Sequence, residues 1–333
     1  MSISTEGLDL RLPEYKSVFR NLVEGHDRYE MPGPICRVTG GQGGEAMLIV
    51  GSERTALIDC GMAYCADVTV ENTRKVLDHL GRSLDYILLS HSHYDHMGAL
   101  PYFRKAFPNV CVMGSEHCAH VLERDNAKKL IKKLGETARE SYEPDKGIDI
   151  LTEGLSVDRI LQDGERIQIG RLDGEDFTID TIYTPGHTDC SISFYLLPLQ
   201  LLFTSESTGI PEGTDYLHTP SLKSFIRSLD SVEKCRRTHA RHLCIPHYGM
   251  LPDSYVDRYW DMFCEECASK TRFALDMRDR GLDRDEMLRE YIDRYWDPAK
   301  EAEQPKEAFD LNSGYILDSL LSELDLLKDR FGL

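Results

Sequence analysis

A chain of 333 residues that is 41% hydrophobic has enough apolar material for a real core, which excludes wholesale disorder, and its length fits one large domain with an appendage. Asp and Glu outnumber Lys and Arg by 57 to 39, and the formal charge of -18 repels phosphate backbones and argues against nucleic acid as the partner. Ten scattered cysteines point to free, mostly buried thiols in a reducing compartment. With no apolar leader at the N-terminus and no run as long as a membrane span, the expectation is a cytoplasmic protein that does not engage a membrane.

The first 33 residues are polar and irregular, with Pro13, Pro32 and Pro34 marking loops. Short apolar or β-branched runs at Ile35–Val38, Ala46–Val50 and Thr55–Asp59 predict strands, separated by Gly40–Gly44 and Gly51–Arg54. Gly40–Gly44 lacks the Lys-Ser/Thr ending of a phosphate loop and reads as a hairpin turn. Val68–Leu80 places Val68, Val70, Val76, Leu77 and Leu80 on roughly one face, which predicts a helix. Asp85–Ser90 is an apolar run of the kind found in buried strands, and it delivers the chain to His91. Ala99–Phe107 then predicts a helix and Val110–Met113 a strand. Residues 116–156 form a Lys/Glu/Ala/Leu-rich helical insert or lid, broken at Glu143–Gly147.

A second set of strands is predicted at Arg159–Leu161, Arg166–Ile169, Phe177–Thr184, Ser191–Leu197 and Leu201–Thr204. A helix over Ser221–Lys234 and a strand over Leu243–Pro246 follow. From Asp253 the strand signal stops. Val256, Tyr259, Trp260, Phe263 and Cys267 fall at helical spacing, as do Ile316, Leu317, Leu320, Leu321, Leu324 and Leu327. The expected organisation is a domain over 1–252 and a helical region over 253–333, whose stripes serve core packing or a homodimer interface. Cys264 and Cys267 form a CxxC without a second pair, so they are read as packing residues.

The chemistry is concentrated in Ser90-His91-Ser92-His93-Tyr94-Asp95-His96-Met97-Gly98. It holds three imidazoles and a carboxylate within six residues, the ligand types of zinc, iron and manganese. Alternate residues of an extended chain point the same way, so His91 and His93 can reach one ion together. Once the chain turns, Asp95 and His96 face a neighbouring position. Two further histidines stand just after predicted strands: His187 in Thr184-Pro185-Gly186-His187-Thr188, and His247 in Ile245-Pro246-His247-Tyr248-Gly249.

An HxHxDH cluster, a TPGHT segment, a carboxylate after a Leu-Phe-Thr strand and a late loop histidine together resemble the metallo-β-lactamase superfamily over roughly residues 34–250. The resemblance implies an α/β fold, a four-layer αββα sandwich with its site at one edge, here followed by a C-terminal helical extension. It implies two divalent metal ions, zinc or iron, with manganese also suited. His91, His93 and His187 would hold the first, and Asp95, His96 and His247 the second. Asp59, ending Ala56-Leu57-Ile58-Asp59, would support the ligands from behind. Glu206 stands where the family has a bridging Asp, and Ser205 where it has Gly. The extra methylene leaves open whether both metals are bridged.

The implied reaction is hydrolysis of a small molecule by a metal-bound hydroxide that Asp95 orients, accepting its proton as it adds to the acyl carbon. A thioester or ester is the first substrate class. Alternatives on the same fold are a phosphodiesterase, a mononuclear-iron persulfide dioxygenase, or a regulatory or interaction protein. Within the superfamily the pattern is similar to glyoxalase II-like thioester hydrolases. It is closer to alkylquinolone signal-response thioesterases through His93-Tyr94-Asp95-His96, the following Leu-Pro-Tyr-Phe, the helical insert and the helical C-terminus. Tyr94 and Tyr248, beside ligands, are candidate substrate contacts. Ser313, in Asn312-Ser313-Gly314 at the expected start of the last helix, would line the pocket or cap that helix.

Overall fold

The computed structural model describes residues 7–12, 22–212, 216–302 and 304–333; Pro13 lies outside them. A first sheet holds β1 (Ile35–Arg37), β2 (Met47–Val50), β3 (Thr55–Ile58), β4 (Tyr86–Leu88), β5 (Cys111–Gly114) and β6 (Arg159–Ile160), side by side in chain order. β1 to β3 form an antiparallel meander, and β3 to β6 run parallel. Parallel neighbours require crossovers, which here are helical. α1 (Ala66–Leu80) joins β3 to β4, and α2 (Tyr94–Met97) and α3 (Leu100–Ala106) join β4 to β5. α4 (Glu116–Glu123) and α5 (Asp125–Tyr142) join β5 to β6.

The second sheet begins with β7 (Arg166–Leu172), β8 (Glu175–Tyr183), β9 (Ile192–Leu197) and β10 (Leu201–Phe203). A small hairpin, β11 (Ile210–Pro211) with β12 (Leu217–His218), then leaves the sheet. α6 (Phe225–Arg236) returns the chain to β13 (His242–Ile245), parallel to β10, and β14 (Gly249–Met250) closes that edge. The spatial order is β14-β13-β10-β9-β8-β7.

The runs of consecutive apolar residues follow from the layering. Side chains alternate along a strand, so a strand covered on both sides is apolar at every position. Ala56 and Ile58 of β3, Leu88 of β4, and Leu201 and Phe203 of β10 face the interior between the sheets, with Ile169, Phe177 and Phe194. Leu57 and Ile87 face outward against Val76, Leu77 and Phe103. Leu202 and Leu243 face the opposite outer layer. That layer is α6 together with α7 (Val256–Asp279), α8 (Arg284–Tyr295), α9 (Lys306–Ser322) and α10 (Leu324–Phe331). The architecture is therefore the four-layer αββα sandwich, with C-terminal helices continuing its outer layer. Tyr259, Phe263, Cys267, Leu317, Leu320 and Leu327 are buried there, so the C-terminal stripes pack into the chain's own core.

Several expected boundaries move for identifiable reasons. Asp173 and Gly174 adopt positive φ (50° and 91°) and make a two-residue hairpin turn, which extends β7 and β8 to meet it. The insert is two helices, because Arg124 is extended (φ -79°, ψ 126°) between α4 and α5. Ser115 caps α4 by accepting from the Cys118 N–H. Asn312-Ser313-Gly314 does not open a helix; α9 starts after Pro305, and the three residues lie in its interior.

Candidate metal centre

Strand ends build one edge of the sandwich into a site. β4 leads through Ser90 to His91 and an extended His93 (φ -75°, ψ 147°), after which the single turn α2 carries Asp95 and His96. β8 leads to His187, β10 to Glu206, and β13 to His247, whose φ of 62° is rare for a residue with a side chain. Glycines allow the loops to nest. A Cβ on Gly44 would lie 2.0 Å from the Asp95 carbonyl oxygen, so the Gly40–Gly44 loop packs directly on the ligand turn.

The ligand atoms fall into two groups, each within 4.8 Å internally: His91, His93, His187 and Glu206, and then Asp95, His96, Glu206 and His247. Glu206 is common to both. Its Oε1 lies 2.9 Å from His96 Nε2, 3.4 Å from His91 Nε2 and 3.5 Å from His247 Nε2, and its Oε2 is 3.4 Å from His187 Nε2. Asp95 Oδ2 is 3.4 Å from His247 Nε2 and 3.5 Å from His96 Nε2.

Hydrogen bonds behind the ligands fix which nitrogen faces inward. Asp59, itself at φ 52°, accepts from the Ser90 N–H (2.7 Å), the Ser90 hydroxyl (2.6 Å) and His96 Nδ1–H (2.8 Å). With its proton given to Asp59, Ser90 Oγ accepts from His91 Nδ1–H at 3.0 Å. His187 Nδ1–H donates to the Pro220 carbonyl at 2.6 Å. Each bond leaves an Nε2 pointing into the site, the arrangement by which outer groups orient metal-binding imidazoles. Asp59→Asn is expected to lower metal affinity about 10- to 100-fold while the fold survives, because Asn also tolerates positive φ. Chelator competition measures this, and affinity within twofold of the parent would remove Asp59 from the positioning role.

The residues present fit divalent metals on their own evidence. His91 Nε2 is fully buried without a hydrogen-bond partner among the described residues. Uncompensated buried lone pairs are costly, and a cation satisfies them. Burial holds His91 well below its ordinary pKa, and burial with the neighbouring His187 holds His93 at about 4, so both are neutral and free to ligate near pH 7. Burial pulls His96 down as well, but Asp95, Asp59 and Glu206 outweigh it and hold the ring well above its usual value. Burial pushes Glu206 up, and the surrounding histidines outweigh that and keep it well below the carboxylate range. Positive charge is thus favoured at His96, beside the carboxylates, and disfavoured at His91 and His93.

A cavity of about 490 Å³ stands over the ligands. His93, Asp95, His187, Glu206 and His247 line it, and Tyr94 borders it. Tyr248 and Ser313 do not. Tyr248 is fully buried; its hydroxyl accepts from the Leu22 N–H, and the Arg28 guanidinium sits 4.9 Å over its ring. Ser313 is 1% exposed on the core face of α9, while its neighbours Leu311 and Asn312 line the cavity. Sequence reading missed the walls: Leu130, Ile131 and Leu134 of α5, Ile210 and His218 of the β11–β12 hairpin, and Phe309 of α9. The hairpin strands are two residues each, too short for a periodic signal.

Comparison with known proteins agrees with this geometry. Residues 39–239 match the family described as Metallo-beta-lactamase superfamily. A metallo-beta-lactamase fold-containing protein of Sulfurisphaera tokodaii is 23% identical over 210 residues, covering 62% of this chain and 76% of that one. A hydroxyacylglutathione hydrolase of Rippkaea orientalis is 28% identical over 122 residues, 37% of this chain but only 33% of the relative. Among solved structures, a metallo-beta-lactamase family protein from Thermus thermophilus superposes with a TM-score of 0.50 at 17% identity, covering 88% of this chain and 94% of that one. A double mutant of a sec-alkyl sulfatase gives 0.56 at 16% identity, covering 86% and 49%. No helix among the described residues is long and apolar enough to cross a membrane. The matched family, the layered fold and the two ligand groups agree, and the chain belongs to the metallo-β-lactamase superfamily of metal-dependent hydrolases.

Proposed function

We propose that the chain is a two-metal hydrolase of thioesters or esters, acting on a small molecule in a cytoplasmic setting. The observation that carries the two-metal reading is Glu206, whose carboxylate belongs to both ligand groups. The extra methylene relative to the family's Asp therefore supports a bridge. Zinc, iron and manganese all suit imidazole and carboxylate donors. When bound, such a pair supplies a nucleophile at neutral pH and Lewis-acid charge for the reacting carbonyl. Asp95 borders the cavity and has one oxygen within reach of the second ligand group. It would hold the attacking water and accept its proton. His91, His93, His96, His187 and His247 keep the ligand cage in register, and Tyr94 walls the reacting end of the cavity.

Two observations favour thioesters and esters over phosphodiesters. The matched Rippkaea protein is a hydroxyacylglutathione hydrolase, and the net charge of -18 opposes polyanionic substrates. The cysteines are all free and mostly buried, which supports a reducing compartment. The test is elemental analysis of protein purified without added metal, followed by a panel of thioesters, esters and phosphodiesters. The expected result is about two equivalents of zinc, iron or manganese, loss of that metal in His93→Ala, and turnover of thioesters or esters. One equivalent of iron would favour the mononuclear dioxygenase reading, and turnover confined to phosphodiesters would replace the acyl substrate class.

A further inference from the structure

The cavity has walls that the metal centre does not require. On α5, Ala127, Leu130, Ile131 and Leu134 recur at spacings of three and four, one stripe of a helix. Ile131 reaches the core behind α5, but Leu130 and Leu134 are not core residues. On α9, Ala308, Leu311 and Asn312 repeat the same spacing toward the same cavity, with Phe309 beside them. These helices are far apart in the chain and face one space. Leu130 and Leu311 line the cavity yet remain 47% and 42% exposed, among the few large apolar side chains that face solvent. Two leucines at an open mouth are a hydration cost that an apolar occupant would remove.

Some polar groups of the cavity engage each other: Glu212 pairs with Lys300 at 2.8 Å and His117 faces Asp189 at 3.9 Å. His218 Nδ1 is buried without a hydrogen-bond partner among the described residues, and Arg124, Lys223, Gln304 and Asn312 also line the space. The apolar part of the lining comes from Leu130, Ile131 and Leu134 of α5 and from Phe309 and Leu311 of α9. Ile210 of the hairpin adds to the same lining.

We infer that the cavity binds an unbranched aliphatic acyl chain, with the reacting carbonyl at the ligand floor and the far end of the chain emerging between Leu130 and Leu311. The inference rests on the thioester or ester hydrolase reading for the identity of the carbonyl. The chain site itself is a statement about α5 and α9. An extended chain lies along paired helical stripes, whereas a compact aromatic or sugar acyl group would leave the mouth leucines uncovered. Each methylene buried along this lining tightens binding about fourfold, until the chain reaches solvent.

Two measurements separate the chain site from the hydrolase reading. The first is equilibrium binding of straight-chain carboxylates, acetate through dodecanoate, to the metal-loaded full chain by calorimetry, which needs no turnover. The expected result is affinity rising about fourfold per methylene and then levelling. Flat affinity across the series, or a preference for branched or aromatic acids, would overturn the inference even if esters are hydrolysed. The second is kcat/KM for acyl thioesters of the same lengths in Leu130→Gln/Leu311→Gln. Both residues are exposed, so the fold is expected to stand, which the thermal midpoint checks. The double variant should lose about tenfold on decanoyl substrates, mostly in KM, and less than twofold on acetyl substrates. Equal loss on both, or chain-length dependence only in the alcohol or thiol part, would overturn it. Length-dependent carboxylate binding without turnover of any ester or thioester would sustain the chain site and refute the hydrolase reading.

Discussion

Glu206→Gln is expected to lower kcat/KM about 10³-fold and bound metal from about two equivalents to one or fewer. The buried Glu206 carboxylate is the one acidic group shared by both ligand groups. Its oxygens contact the inward nitrogens of His91, His96, His187 and His247 at 2.9 to 3.5 Å. Gln preserves volume and one oxygen but removes the charge and turns an N–H₂ toward imidazole nitrogens that must stay free to bind metal. The loss is therefore electrostatic as well as geometric, and the shared position makes it fall on both sites. Elemental analysis and thermal melting accompany the kinetics, because a folded protein without metal separates loss of ligand from loss of fold. Glu206→Asp gives the finer reading. If the 3₁₀ turn over Glu206–Thr208 holds the backbone back, the shorter acid cannot span both groups, and one metal is lost. Full activity in the Gln variant would show that the carboxylate bridges nothing.

How much of this was legible beforehand depends on whether a residue's role is set by local chain geometry. His91, His93, Asp95 and His96 share one strand exit, so spacing alone brings their side chains together. His187, Glu206 and His247 also leave strands at the same edge; the strand-exit positions of the two histidines were the reason to join them, and the family resemblance added Glu206. The failures come where sequence neighbours diverge in space. Tyr248 follows a ligand, but the positive φ of His247 turns the chain, and the ring goes under Arg28 into the core. Ser313 shares the α9 face of Ile316, Leu317 and Leu320, all buried, whereas Ala308, Phe309, Leu311 and Asn312 meet the cavity. An Asn-Ser-Gly triplet carries the signature of a cap, whereas α9 begins at Lys306, directly after Pro305. The cavity walls were out of reach for a different cause. α5 and α9 face each other only through the tertiary fold, and neither stripe announces its partner.

Asp95→Asn is expected to lower kcat about 10²- to 10³-fold with little change in KM and with most metal retained, a pattern distinct from that of Glu206→Gln. Asp95 has one oxygen near His96 and His247 in the second group, and its side chain is 15% exposed at the cavity, more than Glu206 at 9%. It thus sits between the ligands and the space where water and substrate meet. The amide keeps a carbonyl oxygen of nearly the same position, which preserves much of the ligand geometry, but it cannot accept a proton. The rate consequence belongs to proton transfer, and the split between kcat and metal content reads it: kcat should fall while bound metal is largely kept. If metal content falls in step with rate, Asp95 acts as a ligand alone. If the rate is unchanged, another acceptor takes the proton, and His218, which borders the same cavity, becomes the group to substitute next.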